Sequence, residues 1–423
     1  MPDTSVKAAN PAPGPPLNMQ TPTPENTYFR KGFGLKAEIQ GELAADYTGH
    51  LVDLLQARDY TLAAGGVTIR LAKEFGFCYG VERAVDYAYQ ARRKFPERTI
   101  YMAGEIIHNP HVNSKLGAMG INFLMPENGH IDFSDVQAED VVILPAFGVT
   151  IRDFEILRQT GCVMVDTTCG SVLNVWKRVD SYARDGFTSL IHGKYYHEET
   201  RATASQAERY PAGHYFIVRN LEEAQLVCDF IEGRLSASAL MERFANAASP
   251  NFDPARDLRR IGVANQTTML ARESMAVGEL VGQSIARAHG SEYAAENFRT
   301  FDTICSATQE RQDAVVELLR EPLDVMVVIG GYNSSNTISL AALCSETVRT
   351  FHVEDAEGIQ PDSGVIRHRP LGAKEEMDTV AWLAGDAPKR VGVTAGASTP
   401  NNKIGEAVAR IFATRGIDPR SIQ

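Results

Sequence analysis

At 423 residues, 44% hydrophobic and 22% charged, the chain has the composition of an ordinary globular protein with room for roughly two to four domains or one large α/β body. Its formal net charge of −11, with no basic cluster to offset it, argues against a nucleic-acid binder, and no apolar run is long enough to span a membrane. Six scattered cysteines are too few for a disulfide framework, so a reducing cytosol is the natural setting.

In chain order, residues 1–27 ("MPDTSVKAANPAPGPPLNMQTPTPENT") are rich in Pro, Ala and Thr, lack an apolar core segment and read as a disordered tail; they carry no secretory signal, and an organelle transit segment is the alternative. Residues 28–65 form an N-terminal extension. From residue 66 the text alternates apolar, β-branched runs with amphipathic helical patterns. Strands are expected at 66–72, 141–147, 163–169, 188–194, 215–220, 260–266, 324–331, 350–356 and 390–396, each a near-continuous apolar run ending in small or polar residues. Strands alternating with helices imply an α/β class with largely parallel sheets, whose ligands bind beyond the carboxyl ends of the strands. Three units follow: 66–168, whose first strand is free to pair with the third unit; 169–301, with a polar, then Pro/Asp-rich insertion at 229–260; and 302–423, including a C-terminal tail.

A strand, a turn with one cysteine and a helix recur at "AKEFGFCYGVERAV", "VDTTCGSVLNVWKRV" and "FDTICSATQERQDAVVELL", giving Cys78, Cys169 and Cys305. The first turn of a helix offers free N–H groups and the positive end of the dipole, so a thiol there is expected to have a lowered pKa and to be held as thiolate. Thiolates are what soft metals and iron–sulfur clusters require, and three such turns converging at one crevice would hold three corners of a 4Fe–4S cube. Spacing alone leaves ligation and a buried, redox-inert state equally open. Cys162, Cys228 and Cys344 read as packed small hydrophobes. No CxxC pair occurs, which speaks against a zinc ribbon.

Five further segments end strands in polar clusters. They carry His108 and His111 in "GEIIHNPHVN"; His192, His197, Glu198 and Glu199 in "LIHGKYYHEETRATAS"; Gln266, Thr267 and Thr268 in "GVANQTTML"; Asn333, Ser334, Ser335 and Asn336 in "VIGGYNSSNT"; and Thr394, Ser398 and Asn401 in "VTAGASTPNNK". Glycines followed by Ser and Asn present backbone N–H groups and neutral donors to phosphate oxygens, and imidazoles add charge. Neither a Walker loop nor GxGxxG is present, so an anion held mainly by neutral groups is expected. Capping of helices is the competing reading for any one segment. Glu199, beside His197, is the best general-acid candidate, although the sequence does not rank it above Glu198.

Taken in order, "YFRKGFG", "GFCYGVERAV", "EIIHNPHVN", "LPAFGV", "DTTC", "IHGKYYHEETRATAS", "ANQTTML", "FDTIC", "NSSNT" and "VTAGAS" resemble the 4-hydroxy-3-methylbut-2-enyl diphosphate reductase family, in its plant and cyanobacterial branch. The resemblance implies three α/β domains in a pseudo-threefold trefoil around a central 4Fe–4S cluster, with Cys78, Cys169 and Cys305 as ligands. It implies a substrate hydroxyl on the open iron and a diphosphate among His108, His197, Ser334, Ser335, Asn336 and Ser398. Glu199 would supply protons with His197 beside it, and Thr267, next to Thr268, would position the hydroxyl end. Reduced ferredoxin or flavodoxin would donate electrons, in bacterial cytoplasm or alternatively plastid stroma. Competing readings are a redox-neutral iron–sulfur hydro-lyase and a non-catalytic iron–sulfur sensor. Two departures stand out: Phe147 occupies a position where much of the family has histidine, and Gly170 one where proline is usual, which implies a looser turn at Cys169.

Overall fold

A computed structural model describes residues 27–385 and 387–422, so the tail expected at 1–27 lies, but for Thr27, outside the described residues. Each of the nine strand segments expected from the sequence contains an observed strand, and these are distributed over three separate sheets. In the first sheet, Tyr28–Phe29, Val163–Asp166, Val141–Leu144, Ile100–Ala103 and Ile121–Leu124 lie side by side, all parallel. In the second, Phe298–Thr300, Ile261–Asn265, Thr188–His192 and Tyr215–Val218 are also all parallel. In the third the order is Thr350–Val353, Val325–Ile329, Lys389–Ala395, Val67–Leu71 and Thr61–Ala64, parallel except for the last.

Burial explains why these runs are strands. "VVIL", "VMVD" and "VMVVI" are buried at every position, as central parallel strands covered by helices on both faces must be. Val67–Leu71 instead alternates between buried and half-buried, because its outer neighbour is the short antiparallel strand that ends the sheet. It pairs with Lys389–Ala395, so the start of the α/β region is built into the sheet made by the end of the chain. The extension is also woven in: Tyr28 donates to Asp166 at 2.6 Å, and Gln90 of the helix Tyr79–Lys94 accepts the N–H groups of Phe33 and Leu35 at 2.8 and 3.2 Å. Residues 229–260 follow the edge of Tyr215–Val218, where Ile217 N–H donates to Ala247 at 2.7 Å, and bury Leu240 and Phe244 in the second core.

Of the strands not expected, Ile100–Ala103 is a largely buried inner strand of the first sheet, and others are short or exposed. Phe298–Thr300 has no buried residue, and the antiparallel set Ile359–Gln360, Val365–His368 and Met377–Val380 is a small sheet beside the third one. Among the described residues no helix is long and apolar enough to cross a membrane.

Candidate active site

The three recurrent cysteines occupy equivalent places. Cys78, Cys169 and Cys305 are the N-cap residues of the helices Tyr79–Lys94, Gly170–Arg184 and Ser306–Leu318. Each donates its backbone N–H to a loop that follows a parallel strand: Cys78 to Ala397 at 3.1 Å, Cys169 to Ala146 at 3.0 Å, and Cys305 to Thr267 at 3.2 Å. These cross-links draw the carboxyl ends of the three sheets around one cavity, which all three cysteines line.

The same cavity is lined by other residues singled out from the sequence. His108, His197, Glu199, Thr267 and Thr268 form part of its wall, and Ser334, Ser335, Asn336 and Ser398 form another part. Ser334 caps the helix Ser335–Ser345, accepting from Thr337 N–H at 3.3 Å. Asn336 reaches in two directions, donating to Thr308 Oγ1 at 3.4 Å and accepting from Ala397 N–H at 2.9 Å. Ser398 donates to the His108 carbonyl at 3.2 Å. His111, His192, Glu198, Gln266, Asn333, Thr394 and Asn401 do not line it. His192 is fully buried with Nδ1 2.8 Å from Ser274 Oγ, and His111 packs edge-on against Tyr47.

Two neighbouring carboxyls differ sharply. Glu199 is 2% exposed, and its Oε1 accepts the Thr267 N–H at 2.6 Å. Burial pushes its pKa up to about 7 although that hydrogen bond opposes the shift. Glu198, partly exposed, lies 3.5 Å from His108 Nε2 and 3.9 Å from His197 Nδ1. Burial alone would raise Glu198, but His108 outweighs it and holds the carboxyl at about 2. Burial would likewise lower His108, yet Glu105, 2.8 Å from Nδ1, and Glu198 hold it up at about 9. His197 goes the other way, to about 3, through burial and the His108 charge, and its Nδ1 accepts the Glu199 N–H at 3.1 Å. That bond fixes the neutral tautomer with its proton on Nε2.

Three expectations are corrected. The Cys78 and Cys305 thiols are not activated: burial raises Cys78 against the Val81 N–H and the Arg311 charge, and raises Cys305 to about 11 against Thr308. The expected 4Fe–4S cluster on Cys78, Cys169 and Cys305 is overturned by the donor set. Among the described residues, the metal-ligand atoms that come within 4.8 Å of one another belong to His108, His197 and Glu198, a trio that could hold a single ion, and not to the three cysteines. The three cysteines begin three separate helices and line the cavity, whereas the imidazoles and the carboxylate meet within ligand distance of one another where two strand-end loops touch. Third, the turn at Cys169 is well tethered despite Gly170: Arg83 donates to the Thr168 carbonyl at 2.8 Å in addition to the Cys169–Ala146 bond.

Sequence reasoning also passed over residues that matter. Glu105, three residues before His108 in "GEIIH", sets that imidazole's charge. Phe147, at the position where much of the family has histidine, stacks on His108 with ring centres 4.4 Å apart and planes at 20°, which favours the charged imidazole through the ring face. Thr308, 3.0 Å from Cys305 Sγ, and Arg311, bonded to the Gly76 carbonyl at 2.7 Å, stiffen the thiol turns. Cys162, Cys228 and Cys344 sit in apolar clusters away from the cavity.

Comparison with known proteins gives one answer. A family model described as LytB protein matches residues 69–412. The 4-hydroxy-3-methylbut-2-enyl diphosphate reductase of Gloeobacter violaceus is 50% identical over 396 residues, covering 92% of this chain and 93% of its own length. The enzyme of the same name from Thermosynechococcus vestitus is 48% identical over 393 residues, covering 92% and 95%. Among solved structures, the E-1-hydroxy-2-methyl-but-2-enyl-4-diphosphate reductase from Plasmodium falciparum is similar in fold, with a TM-score of 0.58 at 22% identity over 81% of this chain and 87% of that one.

Proposed function

The chain belongs to the LytB protein family, in the branch of its cyanobacterial relatives, and on that premise we propose how its cavity carries out the family's reaction. It is a 4-hydroxy-3-methylbut-2-enyl diphosphate reductase, the last enzyme of the methylerythritol phosphate route to isoprenoids. Two electrons and two protons enter, the allylic C–O bond breaks, and the hydroxyl leaves as water. Protonation at one or the other end of the allyl unit then gives isopentenyl or dimethylallyl diphosphate.

The diphosphate is bound among His108, His197, Ser334, Ser335, Asn336 and Ser398. His108 contributes the charge, since flanking carboxylates keep it protonated at neutral pH. The serines and Asn336 contribute neutral donors at the start of the helix Ser335–Ser345, where free N–H groups favour an anion. The hydroxyl end lies toward Thr267 and Thr268, and Glu199 delivers a proton there. The observation that carries this reading is the burial of Glu199 against the Thr267 N–H, which raises its pKa to about 7 and lets it hold a proton to donate. The electrons come from outside, because the sequence holds no flavin or nicotinamide fingerprint; reduced ferredoxin or flavodoxin fits that need. Bacterial cytoplasm is the proposed compartment, with plastid stroma the alternative.

The test is anaerobic turnover by the full chain with a chemically reduced viologen. Consumption of the substrate with appearance of both five-carbon diphosphates is expected. No consumption would overturn the reading, and consumption without any reductant would favour a redox-neutral hydro-lyase.

A further inference from the structure

One cation at the edge of the cavity has no counter-charge. Lys194 follows the strand Thr188–His192, its backbone N–H is fixed by Gln266 Oε1 at 3.1 Å, and its Nζ stands 3.2 Å from Ser335 Oγ. Among the described residues it forms no ion pair, and the charged group that bears on it most is another cation, Arg369. Arg369 extends from the small antiparallel sheet over the ring of Tyr332 at 4.1 Å, where Glu354 and Glu376 lie near it; Lys194 has no such partner. Burial and Arg369 both push the Lys194 pKa down.

A half-buried ammonium facing a second cation is unfavourable until an anion arrives. The hydrogen bond to Ser335 also has a direction. An ammonium only donates, so Ser335 Oγ accepts from Lys194 and must offer its own hydroxyl proton elsewhere. Ser335 lines the cavity and is the first residue of an eleven-residue helix whose leading N–H groups favour anions.

The geometry points to Lys194 as a positioning residue for the substrate's diphosphate. It places its own charge beside the terminal phosphate and turns the Ser335 hydroxyl into a donor. This rests on the reaction proposed above, in which Ser335 contacts the diphosphate. It adds a second cationic donor to the charge of His108.

The experiment uses the full chain with Lys194→Met and Lys194→Arg. For Lys194→Met, KM is expected to rise about tenfold with a smaller fall in kcat, and the inhibition constant of inorganic diphosphate to rise in parallel, as loss of one charge-assisted contact requires. Lys194→Arg keeps both within about threefold, because it retains the charge but not the compact ammonium. An unchanged KM together with unchanged diphosphate affinity in Lys194→Met overturns the inference, as does a loss confined to kcat. Should the parent protein consume no substrate, the reaction fails as a reading while calorimetry with inorganic diphosphate still decides about Lys194. About tenfold weaker binding by Lys194→Met then supports it, and equal affinity, or no binding by the parent, overturns it.

Discussion

Glu198 and Glu199 begin the same helix, Glu198–Ser205, yet Glu199 lines the cavity while Glu198 turns with Glu105 to a smaller pocket behind His108. One side is a charged set in which Glu198 and Glu105 face a protonated His108. The Glu199 carboxyl instead accepts the Thr267 N–H, and burial, against that bond and the weaker pull of the His108 charge, keeps its proton on to about pH 7. Identical carboxyls one residue apart are thus assigned opposite states by what faces them, and in the proposed reaction the His108 side holds the anion while Glu199 gives the proton.

The strongest way to break that division is Glu199→Gln. The amide keeps the shape and the acceptor for Thr267 but removes the transferable proton, so kcat should fall by about 100- to 1,000-fold. A loss below about threefold would leave Glu199 no acid role. The pH profile gives the same test without a substitution. The active form is protonated, so the rate of the parent should decline about tenfold per pH unit above the Glu199 value of about 7, and the residual rate of Glu199→Gln should lose that limb. Glu198→Gln should act more mildly, near tenfold in kcat/KM, because His108 keeps Glu105 as a partner. Equal losses in the two variants would erase the distinction between the two sides.

Much of this arrangement was legible before any coordinates, and the reasons are particular. "VVILPAF" and "DVMVVIGG" announce buried parallel strands because water touches neither face, so their alternation is erased. Cys78, Cys169 and Cys305 could be grouped because each ends a loop and starts a helix, a local signal with a fixed position. What pairs across units could not be read. The 2.6 Å bond that separates Glu199 from Glu198 joins residues 68 apart in sequence, and the partner is a main-chain N–H, for which no residue type is a marker. The elevated thiols were missed for a related reason: a helix N-terminus is visible in sequence, but the burial that outweighs it is set by three sheets closing together. Phe298–Thr300 escaped because a strand without a buried residue has no apolar pattern.

A smaller effect probes the join between the two sides. A Cβ on Gly331 would lie 2.5 Å from the backbone carbonyl oxygen of His108, an atom that cannot swing aside like a side-chain tip. Gly331→Ala should therefore cost about 1–3 kcal/mol of stability and displace the His108 loop, raising KM while the Glu199 limb of the pH profile stays at the parent's position. A normal melting temperature and KM would show the loop to be softer than its packing implies.

The smallest effect is the pH dependence of stability itself, and it separates the two sides without catalysis. His108 titrates higher in the fold than its ordinary 6.5, so the proton it holds adds stability that is complete below pH 6.5 and is lost as pH rises to about 9. Glu199 is also raised, from 4.5 to about 7; here the fold binds a proton that the unfolded chain has released, so stability drains between those values and is level above them. The Glu198 shift is downward, and its contribution disappears only as pH falls from 4.5 toward 2. Subtracting variant from parent in denaturant melts removes the other titrating groups. The parent's advantage over His108→Asn should shrink between pH 6.5 and 9, and that over Glu199→Gln between pH 4.5 and 7. If both differences moved in the same window, the two sides would be titrating as one coupled unit and their assignment to separate tasks would fail.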